Sequence, residues 1–220
     1  DEVGILLKKY PKIIFHVDAT QAIGKIKPNF DNADLVSFSA HKFYGLKGIG
    51  GLIKKNNIEL EPLFHGGKSN SRYRSGTPML PQLVSMAKAL RLSAENIDKR
   101  YDYVLKLNLE LKEKLKKYKN VVINSNENSL PHVLNISVIG VKPDTFVNAL
   151  SKHSVYISAK SACSEGDQIS ESLKAINKTD EIASSSVRIS LSHLTTEEEI
   201  QKFLEIFRLE YNALNFRIEE

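Results

Sequence analysis

The sequence predicts an α/β protein with a smaller α+β part behind it, and three observations lead there. In the first 55 residues, short apolar runs alternate with glycine, asparagine and proline; in the middle, apolar residues recur at helical spacing; beyond residue 120, strand and helix patterns alternate again.

Taken in order, residues 13–17 (Ile-Ile-Phe-His-Val) form an apolar run that ends in Asp18, and further runs follow at 35–38 and 50–53. That is the rhythm of a mixed or parallel sheet, whose ligands gather at the carboxyl ends of its strands. After a loop at 64–78, Leu83, Met86, Ala87, Leu90 and Ala94 mark one helix, and a second is expected from about residue 101 to 119. A domain boundary is placed at 97/98, giving domains 1–97 and 98–220. The second domain has expected strands at 121–123, 133–138, 155–158 and 187–191 and helices at 143–152 and 196–215. Thr196 and Glu199 have the spacing of a capping box and fix the start of the last helix. The polar stretch 164–172 is expected to be a mobile loop.

With 41% hydrophobic and 26% charged residues, the composition is that of a globular chain. No apolar run approaches the roughly 20 residues of a membrane span, and the first residues lack a signal-like pattern, so a cytoplasmic protein is expected. A single cysteine leaves no internal disulfide and no cysteine-based zinc site. The net charge of +5 comes largely from lysines such as Lys106, Lys112, Lys114, Lys116 and Lys117, which alternate with leucines on one helix. That is a solvated amphipathic face without a nucleic-acid-binding motif, so neither nucleic acid nor membrane is an expected partner, and no metal site is expected.

Two segments carry the chemistry. In Phe38-Ser39-Ala40-His41-Lys42-Phe43-Tyr44-Gly45, a lysine stands just past an apolar strand among small and polar residues, where its amine can bind an aldehyde covalently. In His16-Val17-Asp18-Ala19-Thr20-Gln21-Ala22, a strand ends in an acid that can keep a pyridine nitrogen protonated. Each residue alone has a bland reading, since an acid after a strand is usually a turn residue and a lysine there is usually solvated. The combination is what points to pyridoxal phosphate.

These segments resemble the class V aminotransferase superfamily of pyridoxal-phosphate enzymes, and within it the cysteine desulfurases of the NifS/IscS type. Three further motifs follow in that family's order: Arg74-Ser75-Gly76-Thr77, Ser161-Ala162-Cys163-Ser164, and Val187-Arg188-Ile189-Ser190-Leu191. The resemblance implies the C-terminal part of a fold type I large domain, followed by a smaller C-terminal domain that carries the cysteine loop.

It also implies roles. Lys42 binds the cofactor aldehyde, Asp18 the ring nitrogen and Gln21 the phenolic oxygen; Ser39, His41 and, from the other subunit of a homodimer, Thr77 bind the phosphate. Arg188 grips the substrate carboxylate with its two-pronged guanidinium. Cys163 takes sulfur from L-cysteine as a persulfide, leaving L-alanine, for delivery to an iron–sulfur scaffold or a tRNA-thiolation protein. The phosphate loop and the stacking histidine of the family have no match before Asp18, so a fragment, inactive by itself, is expected.

Departures from the family pattern are Lys160 near the cysteine, Ser69-Asn70 before Arg74, and Ser192-His193-Leu194. Two other readings stand beside the first. One is another class V enzyme, an aminotransferase or selenocysteine lyase, which has no need of Cys163. The other is a non-catalytic dimerisation or scaffold-binding fragment.

Overall fold

The structure is a computed structural model that describes residues 2–67, 71–159 and 169–215. It separates into two compact units, 1–99 and 100–220, with the division in the first turn of a long helix, two residues past the boundary expected from sequence.

The first unit contains α1 (Glu2–Leu7) and three strands, β1 (His16–Asp18), β2 (Leu35–Ser39) and β3 (Gly50–Lys54). β1 pairs in parallel with β2, with Asp18 opposite Ser37, and β2 pairs antiparallel with β3, so the sheet is mixed and its order is β1-β2-β3. Only three residues of the run 13–18 are strand, and Ile13 and Ile14 are exposed. Strand structure begins where a partner appears. Phe15 N–H donates to Asp34 Oδ2 at 2.9 Å, and Asp34 Oδ1 accepts from Lys55 Nζ at 3.0 Å. This one carboxylate therefore anchors the residue before β1 and the residue after β3. Its pKa is held below the usual carboxylate range, first by the Phe15 amide and then by Lys55.

Between β2 and β3 the chain makes a single 3₁₀ turn, Ala40–Phe43, closed by Tyr44 in the left-handed region (φ 72°) whose N–H bonds Ala40 O. Ala40 is 0% exposed and Phe43 1%, in a cluster with Ala89, Ile23, Phe38, Ile49 and Met86. The segment after β1 folds as consecutive turns, with Ile23 N–H bonding Ala19 O and Ile26 N–H bonding Ala22 O. Inside it Gly24 has φ +79°, and a β-carbon placed there would lie 2.6 Å from the Cβ of Phe43. The backbone of Gly24 thus lies directly on the 3₁₀ turn, an approach only glycine permits.

α2 (Leu80–Glu95) covers this cluster with Met86, Ala89 and Ser93. The stripe expected to face inward, Leu83, Ala87, Leu90 and Ala94, is exposed instead. The reason is steric. Ser93 and Ala89 are small enough to let α2 approach Gly24 and Phe43, with Ser93 Cβ 3.4 Å from the position of an added Gly24 β-carbon. In the sheet Val36 is buried and Val17 partly so, while the exposed apolar side chains of this unit include Leu52, Ile53, Leu63, Phe64, Leu80 and Val84.

The second unit is built on an antiparallel sheet, β4 (Val121–Ile123), β5 (Val133–Val138) and β6 (Ser186–Ser190), in that order. α3 (Ile97–Leu115), α4 (Pro143–Ser151) and α7 (Glu197–Asn215) supply its helical layer. On α3 the buried residues Val104, Leu107, Leu111 and Leu115 recur at helical spacing and meet Phe146, Leu150, Phe203 and Phe207 in one core. The capping box forms as expected: Thr196 N–H donates to Glu199 Oε2 at 2.8 Å, and Glu199 N–H to Thr196 Oγ1 at 3.2 Å.

Two short helices were not expected, α5 (Glu171–Ala175) and α6 (Asp180–Ser184), each begun by a hydroxyl cap, Ser170 and Thr179. α5 takes in the end of the stretch 164–172 expected to be a loop; residues 164–168 lie outside the described residues. The expected strand at 155–158 reduces to a single bridge between Ser158 and Arg188. Among the described residues, no helix is long and apolar enough to cross a membrane.

The Gly24 contact yields a matched comparison. Gly48 also has a positive φ (+86°) but no atom within 4 Å of an added β-carbon. Gly48→Ala therefore costs about 1–2 kcal/mol of backbone strain, whereas Gly24→Ala adds a steric clash and costs at least about 1 kcal/mol more. Denaturant unfolding followed on both variants measures the difference, and equal losses would show that the close approach does not hold the unit together.

Candidate active site

β1 and β2 run in the same direction, so their carboxyl ends open at one end of the sheet of the first unit. There the structure gathers five of the residues expected at the site. Asp18 ends β1, Gln21 follows in the turn segment, Ser39 ends β2, and His41 and Lys42 lie in the 3₁₀ turn. Lys42 is exposed, while its neighbours Ala40 and Phe43 are buried on the other side of the turn. The turn is fixed at both ends: Ala40 N–H donates to Ile49 O at 3.0 Å, and Gly45 N–H to Ala40 O at 2.9 Å. One residue further, Leu46 N–H donates to Ser85 Oγ on α2 at 3.2 Å. An exposed lysine side chain thus stands on a backbone hydrogen-bonded at both ends of its turn.

Asp18 is kept as an anion. The Thr20 hydroxyl and then the Thr20 N–H, 2.9 Å from Oδ1, hold its carboxyl below the usual range, and the charge of His16 adds a smaller push in the same direction. His16 is itself tied to β2, its Nε2 lying 3.0 Å from Ser37 Oγ. Gln21 accepts a short hydrogen bond from Lys25 Nζ on its amide oxygen. Lys25 is half-buried and its pKa is lowered, first by desolvation and then by repulsion from the Lys42 ammonium.

Thr77 is exposed in the loop after the bridge between Phe64 and Arg74, and it makes no hydrogen bond among the described residues to the five above. In that loop Arg74 Nη1 donates to Ser75 O at 2.6 Å, and Arg72 to Glu59 at 2.8 Å. A cavity of about 260 Å³ beside it is lined by Phe64, His65, Ser71, Arg72 and Ser75. A larger one, about 350 Å³, lies by Lys142, Asp144 and Glu181 in the second unit, and no expected site residue lines it.

Arg188 belongs to β6 of the second unit. Its backbone pairs with Ser158 on both sides (2.7 and 3.1 Å), and Nη2 donates to Ser158 Oγ at 3.3 Å. Its Nε is buried without a hydrogen-bond partner, and no acid pairs with it among the described residues. A buried guanidinium N–H without an acceptor is costly unless a ligand supplies one. That is the condition a carboxylate would relieve. Cys163 lies outside the described residues. Among the described residues no group of three or more His, Cys, Asp and Glu could hold a metal ion.

Sequence reasoning missed the residues that hold the named ones in place: Thr20 on Asp18, Lys25 on Gln21 and Ser158 on Arg188. Of these the Gln21–Lys25 spacing of four residues and the turn tendency of an acid such as Asp18 carried a sequence signal, and Ser158 on Arg188 carried none.

The donor set fits pyridoxal phosphate. A carboxylate held ionised, an amide whose oxygen is already engaged, two hydroxyl or imidazole donors and a free amine on a rigid turn match a protonated ring nitrogen, a phenolic oxygen, a phosphate and an aldehyde.

Comparison with known proteins agrees with this geometry. The model of the aminotransferase class-V family matches residues 1–203. The chain is 38% identical over 228 residues to the cysteine desulfurase IscS of Buchnera aphidicola subsp. Baizongia pistaciae, covering 97% of this chain and 56% of that protein. It is 38% identical over 209 residues to the IscS of Vibrio cholerae, covering 92% and 51%. Among solved structures, a NifS-like protein from Rickettsia africae superposes with a TM-score of 0.85 at 32% identity, over 96% of this chain and 57% of that one. The chain thus spans about half the length of the relatives it matches. With its strand-end acid, its lysine turn and this match over residues 1–203, the chain belongs to the aminotransferase class-V family, whose members depend on pyridoxal phosphate.

Proposed function

We propose that this chain carries the lysine, the ring-nitrogen acid, the substrate arginine and the sulfur-carrying cysteine of a pyridoxal-phosphate cysteine desulfurase, converting L-cysteine to L-alanine. The observation that carries the reading is the meeting of Asp18 and the Lys42 turn at one end of the sheet, with Asp18 held ionised. The similarity to proteins named cysteine desulfurase supports the choice of reaction within the family.

Pyridoxal phosphate, when bound, supplies an electron-accepting ring for negative charge on the substrate carbons. Asp18 holds a proton on the ring nitrogen; its own hydrogen bonds from Thr20 keep it anionic for that purpose. Gln21, Ser39 and His41 orient the group, and Thr77 of the second subunit of a homodimer contacts the phosphate. Arg188 binds the substrate carboxylate through a guanidinium whose buried Nε–H is short of an acceptor. The Cys163 thiolate attacks the sulfur of L-cysteine. An S–S bond forms and the Cβ–S bond breaks; its electron pair stays with carbon, which takes up a proton to give L-alanine. The Cys163 persulfide then passes its sulfur to an acceptor, an iron–sulfur scaffold or a tRNA-thiolation protein, in the cytoplasm.

The activity belongs to a protein of the relatives' full length. The 220 residues alone are expected to bind the cofactor weakly and to turn over no substrate.

In such a full-length protein, Lys42→Ala abolishes the yellow absorbance band and lowers alanine release by more than about a thousandfold. Cys163→Ala keeps the band but forms no protein-bound persulfide. A Lys42→Ala variant that stays yellow and active would falsify the assignment, as would persulfide found by mass spectrometry on the Cys163→Ala protein.

Asp18→Asn retains the cofactor and slows turnover by at least about a hundredfold, because the carboxylate that keeps the ring nitrogen protonated is gone. Alanine release at near the parent rate from this variant would remove Asp18 from the mechanism.

A further inference from the structure

The proposed reaction gives Lys25 no part, yet the fold places this residue against one of the cofactor residues. The segment that bears it leaves β1 directly after Asp18 and turns twice, through the Ala19–Ile23 and Ala22–Ile26 hydrogen bonds. Ile23 packs into the cluster of Ala40 and Phe43 beneath the lysine turn, and the backbone of Gly24 lies against Phe43 itself. These two contacts set Lys25, the next residue, beside the turn that carries Lys42. Its ammonium donates to the amide oxygen of Gln21, one helical spacing back.

Resting on the reading of Gln21 and Lys42 as cofactor residues, we propose that Lys25 is a positioning residue: it holds the amide oxygen of Gln21, so that the amide NH₂ is the group left for a cofactor oxygen. A glutamine amide has one acceptor and one donor end, and a free side chain presents either. A phenolic oxygen that carries negative charge needs the donor. With the oxygen end engaged by a cation, the wrong presentation requires breaking a charge-assisted hydrogen bond. The proximity has a second sign. Burial and then the nearby Lys42 amine disfavour the charge on Lys25. Removal of the Lys42 charge strengthens the hold on Gln21.

The test needs no bound cofactor, and so separates this arrangement from the assignment of Lys42 as the cofactor lysine. In the ¹⁵N-labelled chain, Lys25→Met shifts the side-chain amide pair of Gln21 toward that of a solvated glutamine, and Lys25→Arg restores it. In the chain with ¹³C-methylated lysines, Lys42→Met moves the titration midpoint of Lys25 upward, toward an ordinary lysine value. The second variant leaves Lys25 and Gln21 intact, so a folding defect in Lys25→Met does not decide the matter. Gln21 amide signals unchanged in Lys25→Met, or a Lys25 midpoint unmoved by Lys42→Met, would overturn the proposal.

Discussion

The candidate site depends on the contact between the backbone of Gly24 and the side chain of Phe43. Asp18 ends one strand and Lys42 follows the next; pairing of β1 with β2 aligns the strand ends but does not orient the segments that leave them. Those segments lock to each other. Gly24, at φ +79° and without a side chain, lets the turn after β1 lie on the 3₁₀ turn after β2, and Ala40, Phe43 and Ala89 seal the joint from water. The buried half of the 3₁₀ turn is rigid, and its exposed half carries the amine. Preorganisation of this kind is what a covalent cofactor anchor requires, because each misplaced angle at the backbone is magnified at the end of a long lysine side chain.

The supporting interactions follow one pattern. Three of the residues expected to meet the cofactor or substrate are held by a partner that fixes charge or presentation: Thr20 keeps Asp18 anionic, Lys25 engages the oxygen of Gln21, and Ser158 holds one end of Arg188 while leaving Nε without an acceptor among the described residues. Polar groups short of partners are rare in settled structure because they cost free energy. Their occurrence on a residue expected to bind a carboxylate is consistent with a ligand completing the set.

Much of this was legible in the sequence. Long periodic segments such as α3 and α7, the capping box at Thr196 and Glu199, and the strand-end placement of Asp18 and Lys42 follow from spacing and from the chemistry of single residues. What was not legible is instructive. The stripe Leu83, Ala87, Leu90 and Ala94 has the spacing of a buried face, but α2 turns Ala89 and Ser93 inward, because close approach to Gly24 favours small side chains over large ones. Residues 13–15 look like strand, yet pairing starts only where Asp34 fixes the chain. Thr20, Lys25 and Ser158 act through hydrogen bonds that no pattern of apolar residues records.

The central claim is that Lys42, on its locked turn, is the amine that takes the cofactor aldehyde. Lys25 is the sharpest competitor, since it lies nearby and burial already lowers its pKa. Incubating the chain with pyridoxal phosphate, reducing with borohydride and mapping the modified lysine by mass spectrometry decides between them, because even a weak and reversible bond is trapped. The structure predicts label concentrated on Lys42; label on Lys25, or spread evenly over the surface lysines, would contradict it.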